Sequence, residues 1–305
     1  MYDIISFGAS TVDILVKSEQ LVQKNGILGL PVSSKNEISQ SLICSGGGGS
    51  NSSVAFSRLG LKTACVSLLG SDTLSRYVMS DFATEKVDTS LLSRPPDELT
   101  DFSVILVAHD GSRSIMTYRG KNRLEEKHLA WSKIEKTKWF YIASLEGNLD
   151  LLEKLIGFAF DHKIKVALNP GNRELSKKRQ IIPLLKYIDF FLLNKTESEN
   201  LMDSQNDDSG FWSKVAALKS LITAVTNGRQ GAHVFTCGQH LFSPIINIKP
   251  VDETGAGDSF GSAFVAALIY GKDPGEALSW GIKNSASVVS AMGAKTALLT
   301  LKQIK

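Results

Sequence analysis

Asp252-Glu253-Thr254-Gly255-Ala256-Gly257-Asp258-Ser259-Phe260 decides how this chain of 305 residues is read. The stretch follows an apolar, strand-like run at 245–251 and opens an apolar helical pattern at 260–270. Gly255, Ala256 and Gly257 are small enough to aim successive N–H groups at one spot, at the positive end of the helix dipole. Such a spot is an anion hole suited to a transferring phosphoryl group. Asp258 falls in the first helical turn beside it, where a carboxylate either takes a proton from a hydroxyl or caps the helix.

Outward from this loop, short apolar runs at 4–7, 63–69, 139–143, 165–169, 190–194 and 223–226 alternate with helical patterns at 51–59, 74–85, 149–162 and 210–221. Continuous apolar strands separated by helices predict a parallel sheet covered on both faces. Two excursions break the rhythm. Residues 102–107 and 113–118 alternate in the strand manner around His109-Asp110-Gly111-Ser112, and 14–17 and 36–44 also read as strands. Together they predict a small antiparallel sheet, from about 11–44 and 102–118, lying beside the main sheet as a lid. Its uncovered edges and apolar face imply a homodimer through the lid. The polar stretch 203–209 reads as a surface connection.

A second glycine-rich loop lies near the other end of the chain. Ser45-Gly46-Gly47-Gly48-Gly49-Ser50-Asn51 runs into a helical pattern that Gly60 ends. Four successive glycines cost backbone entropy, so either a ligand needs bare backbone there or the segment is a flexible turn. Asn51 adds both donors and an acceptor. Asp13 follows the first strand, at the end where ligands sit in open α/β sheets, and can accept hydrogen bonds from neighbouring hydroxyls or act as a cap. Other phosphate motifs fail. No glycine loop carries the Gly-Lys-Ser/Thr of a P-loop, and Gly261 comes one residue too late after Gly257 for the dinucleotide fingerprint.

Taken together and in this order, the motifs resemble the ribokinase-like (PfkB) carbohydrate kinase family over essentially the whole chain. Gly46-Gly47-Gly48-Gly49-Ser50-Asn51 is similar to its N-terminal Gly-Gly-x-Gly-x-Asn, and Asp252 to Asp258 to its C-terminal Asp-Thr-x-Gly-Ala-Gly-Asp. Asn194-Lys195-Thr196-Glu197 matches its Asn-x-x-Glu, and Thr226-Asn227-Gly228 with Gly231 its Thr-x-Gly loop. The resemblance implies a single three-layer α/β/α sandwich over 1–305 with a small β-lid, and ATP-dependent phosphorylation of a sugar hydroxyl. It implies Asp258 as general base and the Gly255, Ala256 and Gly257 amides as anion hole. It further implies Thr11, Asp13, Gly47, Gly48, Asn51 and Glu146 at the acceptor, and Asn194, Thr226, Gly228, Gly231 and Asn284 at ATP. Glu197 would organise Mg²⁺ through water, and Asp252, Thr254 and Gly293 resemble a K⁺ site. Two departures stand out: Gly48 where ribokinases carry a lysine, and Glu253 where threonine is usual. The motifs do not separate a sugar kinase from a nucleoside kinase. A non-catalytic sugar- or nucleotide-binding regulator of the same fold is disfavoured by the retained Asp258.

Composition narrows the classes. With 43% hydrophobic and 21% charged residues and a net charge of +3, the chain has the balance of a globular protein. It shows no basic block to track nucleic acid or an anionic membrane. Residues 3–8 are too short and too acidic for a signal peptide, and no apolar run approaches the ~20 residues that span a bilayer. Cys44, Cys65 and Cys237 form no CxxC pair, which fits a reducing cytoplasm rather than a zinc site or a disulfide framework. The five histidines show no ligand spacing, and the four tryptophans read as core. Arg119-Gly120-Lys121-Asn122, after the expected hairpin, reads as a solvated basic turn, with contact to an acceptor as the alternative.

Overall fold

The computed structural model describes residues 1–109, 113–121, 123–205 and 207–305. Its strands are β1 (Tyr2–Phe7), β2 (Thr11–Lys17), β3 (Val22–Lys24), β4 (Ile27–Gly29), β5 (Gln40–Gly46), β6 (Thr63–Val66), β7 (Phe102–Val107), β8 (Arg113–Tyr118), β9 (Thr137–Ile142), β10 (Lys165–Leu168), β11 (Phe190–Asn194), β12 (Ile222–Thr226), β13 (Ala232–Thr236) and β14 (Gln239–Ser243). The main sheet has the order β14-β13-β12-β11-β10-β9-β1-β6, parallel from β12 to β6 and antiparallel at β13 and β14.

Burial on both faces explains why these strands read as unbroken apolar runs. Along β9, Phe140 and Ile142 join the core under the helix Leu149–Asp161. Trp139 and Tyr141, on the opposite face, join the core under the helices Ala256–Ile269 and Pro274–Val289. Alternate residues of one strand thus serve two layers. Phe190 of β11 stacks on Phe264 at 4.5 Å, anchoring the helix Ala256–Ile269 under the sheet. The result is the three-layer sandwich that the resemblance implies.

A separate four-stranded sheet, β5-β2-β7-β8, is the lid expected from the two excursions. It is mixed rather than antiparallel as expected: β2 and β7, one from each excursion, pair in parallel, and only the outer pairs are antiparallel. The strands are longer or displaced relative to the expectation, with β2 beginning at Thr11 and β5 ending at Gly46. The hairpin residues Asp110–Ser112 lie outside the described residues, as do Asn122 and Asn206. Cys44, Cys65 and Cys237 are free thiols, and burial pushes Cys44 and Cys65 up to about 11. Among the described residues no helix is long and apolar enough to cross a membrane.

Three expectations are corrected. The run 245–251 is not a strand; it is irregular, and Ile245, Ile246 and Ile248 line a cavity. The helix expected over 210–221 covers only Phe211–Ala216; residues 217–221 form a turn and bends that lead into β12, with Leu218 packed against the core. The hairpin β13–β14 is an unforeseen antiparallel edge. Its two-residue turn is Cys237-Gly238, both at positive φ (45° and 76°), which suits the twist of a tight hairpin.

Candidate active site

The helix Ala256–Ile269 begins four residues earlier than the apolar pattern suggests, because Gly255 supplies a left-handed N-cap (φ 77°). A Cβ on Gly255 would stand 2.5 Å from the Cβ of Ala294, so the turn admits only glycine. No side chain caps the helix. A Cβ on Gly257 would meet nothing within 4 Å, and the residue is exposed. Gly257 therefore faces accessible space at the positive end of a 14-residue helix, while the Ala256 N–H is given to Glu253 O at 3.3 Å.

Asp258 does not cap. Its Oδ2 accepts a 2.8 Å hydrogen bond from Nδ2 of Asn51, which lies in the other glycine loop. Burial raises the Asp258 carboxyl above its ordinary value, partly offset by the Asn51 bond and the Lys295 charge. Asn51 is itself buried, and its Oδ1 has no hydrogen-bond partner among the described residues. A buried amide oxygen left without a donor is costly, so this atom is suited to accept from a ligand hydroxyl.

The Gly46–Gly49 run is shaped by close approach of backbone. Ala9 O accepts from the N–H of Gly49 (3.0 Å) and of Ser50 (3.2 Å). A Cβ on Gly47, at φ 89°, would stand 2.5 Å from Ala9 O, and one on Gly49 2.7 Å from Gly8 O. A Cβ on Gly48 would lie 2.9 Å from Ala143 Cβ and 3.6 Å from Asp258 Oδ1, so the two loops face each other. Thr11 and Asp13 enter from β2, where Gly46 leaves room for both side chains. Burial raises the Asp13 carboxyl, against a Ser103 hydrogen bond and the Lys295 charge.

Glu146 follows β9 at φ 60° and takes 3.2 Å contacts from Arg119 Nε and Arg173 NH1. It lines a cavity of about 230 Å³ together with Gly8 and Ala9, whose basic residues are Arg119, Lys121, Arg123 and Arg173. The buried Glu174 carboxylate shapes this corner by accepting from the N–H groups of Leu145 (2.7 Å), Gly147 (2.9 Å) and Gly171 (3.0 Å). Neither Glu174 nor Arg173 stood out in the sequence, since nothing local marks a side chain that acts across 27 or 29 residues.

On the far side of Gly257 is a cavity of about 690 Å³. Asn194, Glu197, Thr226, Gly228 and Gly231 line it, and the irregular segment at Ile245, Ile246 and Ile248 supplies an apolar wall. Asn194 and Glu197 cap one helix reciprocally: Asn194 Oδ1 accepts from the Glu197 N–H (2.9 Å) and Glu197 Oε2 from the Asn194 N–H (2.8 Å). Burial and the Asp258 charge raise the Glu197 carboxyl, against the Asn194 N–H bond that lowers it. Asn284 is not at this cavity. It is fully buried, its Nδ2 donating to Ser259 O and its Oδ1 accepting from Leu299 N–H, each at 2.9 Å, so it ties the helix Pro274–Val289 to the helix Ala256–Ile269 and to the segment before the C-terminus, out of reach of the cavity.

The residues present suit a divalent cation at the phosphates: two mutually repelling carboxylates, Glu197 and Asp258, border the accessible helix terminus. No cluster of three or more metal-ligating side chains exists among the described residues, so such an ion would be held largely by water and phosphate. The K⁺ expectation fits poorly. Asp252 Oδ1 already accepts from the Thr254 N–H (2.9 Å), Thr254 Oγ1 (2.6 Å) and Arg113 NH1 (2.9 Å), and Oδ2 from the Gly293 N–H (2.9 Å). Burial alone would raise the Asp252 carboxyl, but these donors outweigh it and hold the group below its ordinary value.

The ribokinase of Haemophilus influenzae is 30% identical over 267 residues, 86% of either chain. The deoxyribokinase of Salmonella typhi is 26% identical over 99% of this chain and 97% of its own. Arabidopsis thaliana ribokinase, solved with ribose and ATP, superposes with a TM-score of 0.83 at 20% identity, covering 99% of this chain and 97% of its own. The nucleoside kinase of Methanocaldococcus jannaschii gives 0.79 at 21% identity, covering 99% and 96%. Residues 1–301 match the profile of the pfkB family carbohydrate kinases, and the chain belongs to that family.

Proposed function

We propose that the protein transfers the γ-phosphoryl group of ATP to a hydroxyl of a small sugar. The observation that carries this reading is Asn51, which donates to Asp258 with one end while its buried Oδ1 has no protein partner. The acceptor hydroxyl lies between them, its sugar held by Thr11, Asp13, Gly47, Gly48 and Glu146. ATP occupies the larger cavity with its phosphates at the Ala256–Gly257 amides. Asp258 takes the hydroxyl proton as the new O–P bond forms and the bond to the leaving ADP oxygen breaks. Its raised pKa suits it to this task, because a base nearer the working pH is the more effective one. The uncapped helix terminus meets the negative charge on the phosphoryl oxygens. Mg²⁺, bound with ATP, would supply positive charge at the phosphates, and the Glu197 carboxylate, whose Oε2 accepts from the Asn194 N–H, would hold a water of its shell.

The small sheet acts as a lid that excludes water and limits wasteful ATP hydrolysis. Its outer strand β8 exposes Ile115 (52%) and Met116 (55%), an apolar edge that a second copy would cover in a homodimer. Light scattering showing a monomer at micromolar concentration would remove the dimer.

A panel of sugars, ketosugar acids and nucleosides with ATP, read by ADP release, tests the activity. Turnover of a sugar in preference to any nucleoside is the expected result. Turnover of nucleosides alone would make the protein a nucleoside kinase, and ADP release with none of them would leave the fold without this activity.

A further inference from the structure

A buried ammonium that the proposed chemistry does not use stands behind the acceptor loop. Lys295 is only 7% exposed, in the segment after the helix Pro274–Val289. Its Nζ donates to Ser45 Oγ (2.5 Å) and Ser50 Oγ (2.7 Å) and pairs with Asp81 Oδ2 (2.7 Å). Ser45 and Ser50 are the residues immediately before and after Gly46-Gly47-Gly48-Gly49. One cation thus grips both shoulders of four glycines that have no side chains to hold themselves. Its own segment is fixed at both ends. Arg58 NH1 donates to Lys295 O (2.8 Å), Gly293 N–H binds Asp252, and Ala294 packs against Gly255 of the other glycine loop.

We propose that Lys295 is the positioning residue of the acceptor loop, setting the spacing between the two glycine loops. This rests on the reading of the Gly46–Asn51 loop as the acceptor site. Burying a lysine is expensive unless it is paired and hydrogen-bonded, and an apolar side chain would hold a merely structural core more cheaply. Burial drags the Lys295 pKa down, and Asp81 opposes the shift. The other titratable groups that feel its charge are Cys44, Cys65, Asp13 and Asp258, from β5, β6, β2 and the helix Ala256–Ile269.

The test uses Lys295→Met, with Ser45→Ala and Ser50→Ala each removing one grip while keeping the charge. Hydrogen exchange on the free protein comes first and needs no substrate. The Gly49, Ser50 and Asn51 amides should exchange faster in all three variants while β9 and β11 stay protected. With a working acceptor, its KM should rise by about 10- to 100-fold in Lys295→Met, the scale of lost charge-assisted hydrogen bonds, with the ATP KM within about twofold. The acid limb of the rate profile should also move to higher pH, because a cation near Asp258 is gone. If Lys295→Met fails to fold, the serine variants alone decide. Unchanged loop exchange, or an acceptor KM that stays within about twofold in both serine variants, overturns the clamp. Faster loop exchange without any acceptor turnover would uphold the clamp and refute the kinase reading instead.

Discussion

The two glycine-rich loops look alike in sequence and differ in what their glycines are for. Both enter a helix through a glycine at positive φ, Gly47 (89°) and Gly255 (77°), and neither helix has a side-chain cap. In the first loop the missing side chains make room for the protein's own backbone: Cβ atoms on Gly47 and Gly49 would strike carbonyls of the segment 8–9. In the second, a Cβ on Gly257 would meet nothing, and the residue opens onto the larger cavity. A glycine run therefore signals either tight packing or ligand access. Only the surrounding chain tells which.

The largest effect should come from Asp258→Asn. The amide keeps the size of the side chain and the contact with Asn51 but cannot take a proton, so phosphotransfer should fall by about 10²–10⁴-fold. Nucleotide binding by calorimetry should persist. In the wild type, burial raises this carboxyl, so the folded state prefers it protonated. Stability held below the unfolded-state pKa is then lost as pH rises through the raised one, and the ionised group destabilises the fold at neutral pH. Asp258→Asn should accordingly raise the melting temperature while abolishing the acid limb of the rate profile. Activity within a few-fold of wild type would mean that Asp258 is not the base.

How far this site could be read from the sequence follows from the range of each interaction. Asp258, Gly255 and Glu197 sit in local motifs at a strand end or a helix start, and the structure brings Glu197 close enough to Asp258 to feel its charge. Asn51 and Asp258 are 207 residues apart, yet each is marked by its own glycine loop. Lys295 is marked by nothing, because its grip on Ser45 spans 250 residues and involves ordinary polar side chains. The early start of the helix Ala256–Ile269 was hidden because glycine disfavours helix interiors, while the left-handed turn at Gly255 permits one to begin. Residues 245–251 read as an apolar, strand-like run but pair with no strand among the described residues, so the pattern reports a cavity wall.

The contrast between the loops sharpens with two alanines. Gly49→Ala places a Cβ 2.7 Å from Gly8 O, an overpacking clash that should cost about 1–3 kcal/mol of stability in denaturant unfolding. Gly257→Ala meets no atom and sits inside a helix, so stability should hold or rise by about 0.5–1 kcal/mol. Its methyl would intrude where phosphates approach, so the ATP KM should rise while the fold is untouched. If both variants lose stability alike, the distinction between packing and access fails.

Glu197→Gln separates metal from acceptor. The amide oxygen can still accept from the Asn194 N–H, so the helix cap survives, but the charge near the phosphates is lost. The Mg²⁺ concentration needed for half-maximal rate should rise several-fold, with acceptor KM nearly unchanged. A collapse of acceptor affinity at constant Mg²⁺ dependence would reassign the residue.

The smallest effect concerns K⁺. A monovalent cation beside the second loop would need the Asp252 carboxylate, and that group already accepts from Thr254, Gly293 and Arg113. The guanidinium of Arg113 comes from β8, so the lid itself brings positive charge to the place. Exchanging K⁺ for a bulky organic cation at constant ionic strength should therefore change the rate by less than about twofold, the scale of general screening on an exposed pair. Arg113→Ala frees Asp252 Oδ1 of its charged donor and should create a K⁺ response that the parent protein lacks. Strong K⁺ activation of the wild type would show that the ion binds despite the donors around Asp252, with main-chain oxygens rather than this carboxylate carrying the site.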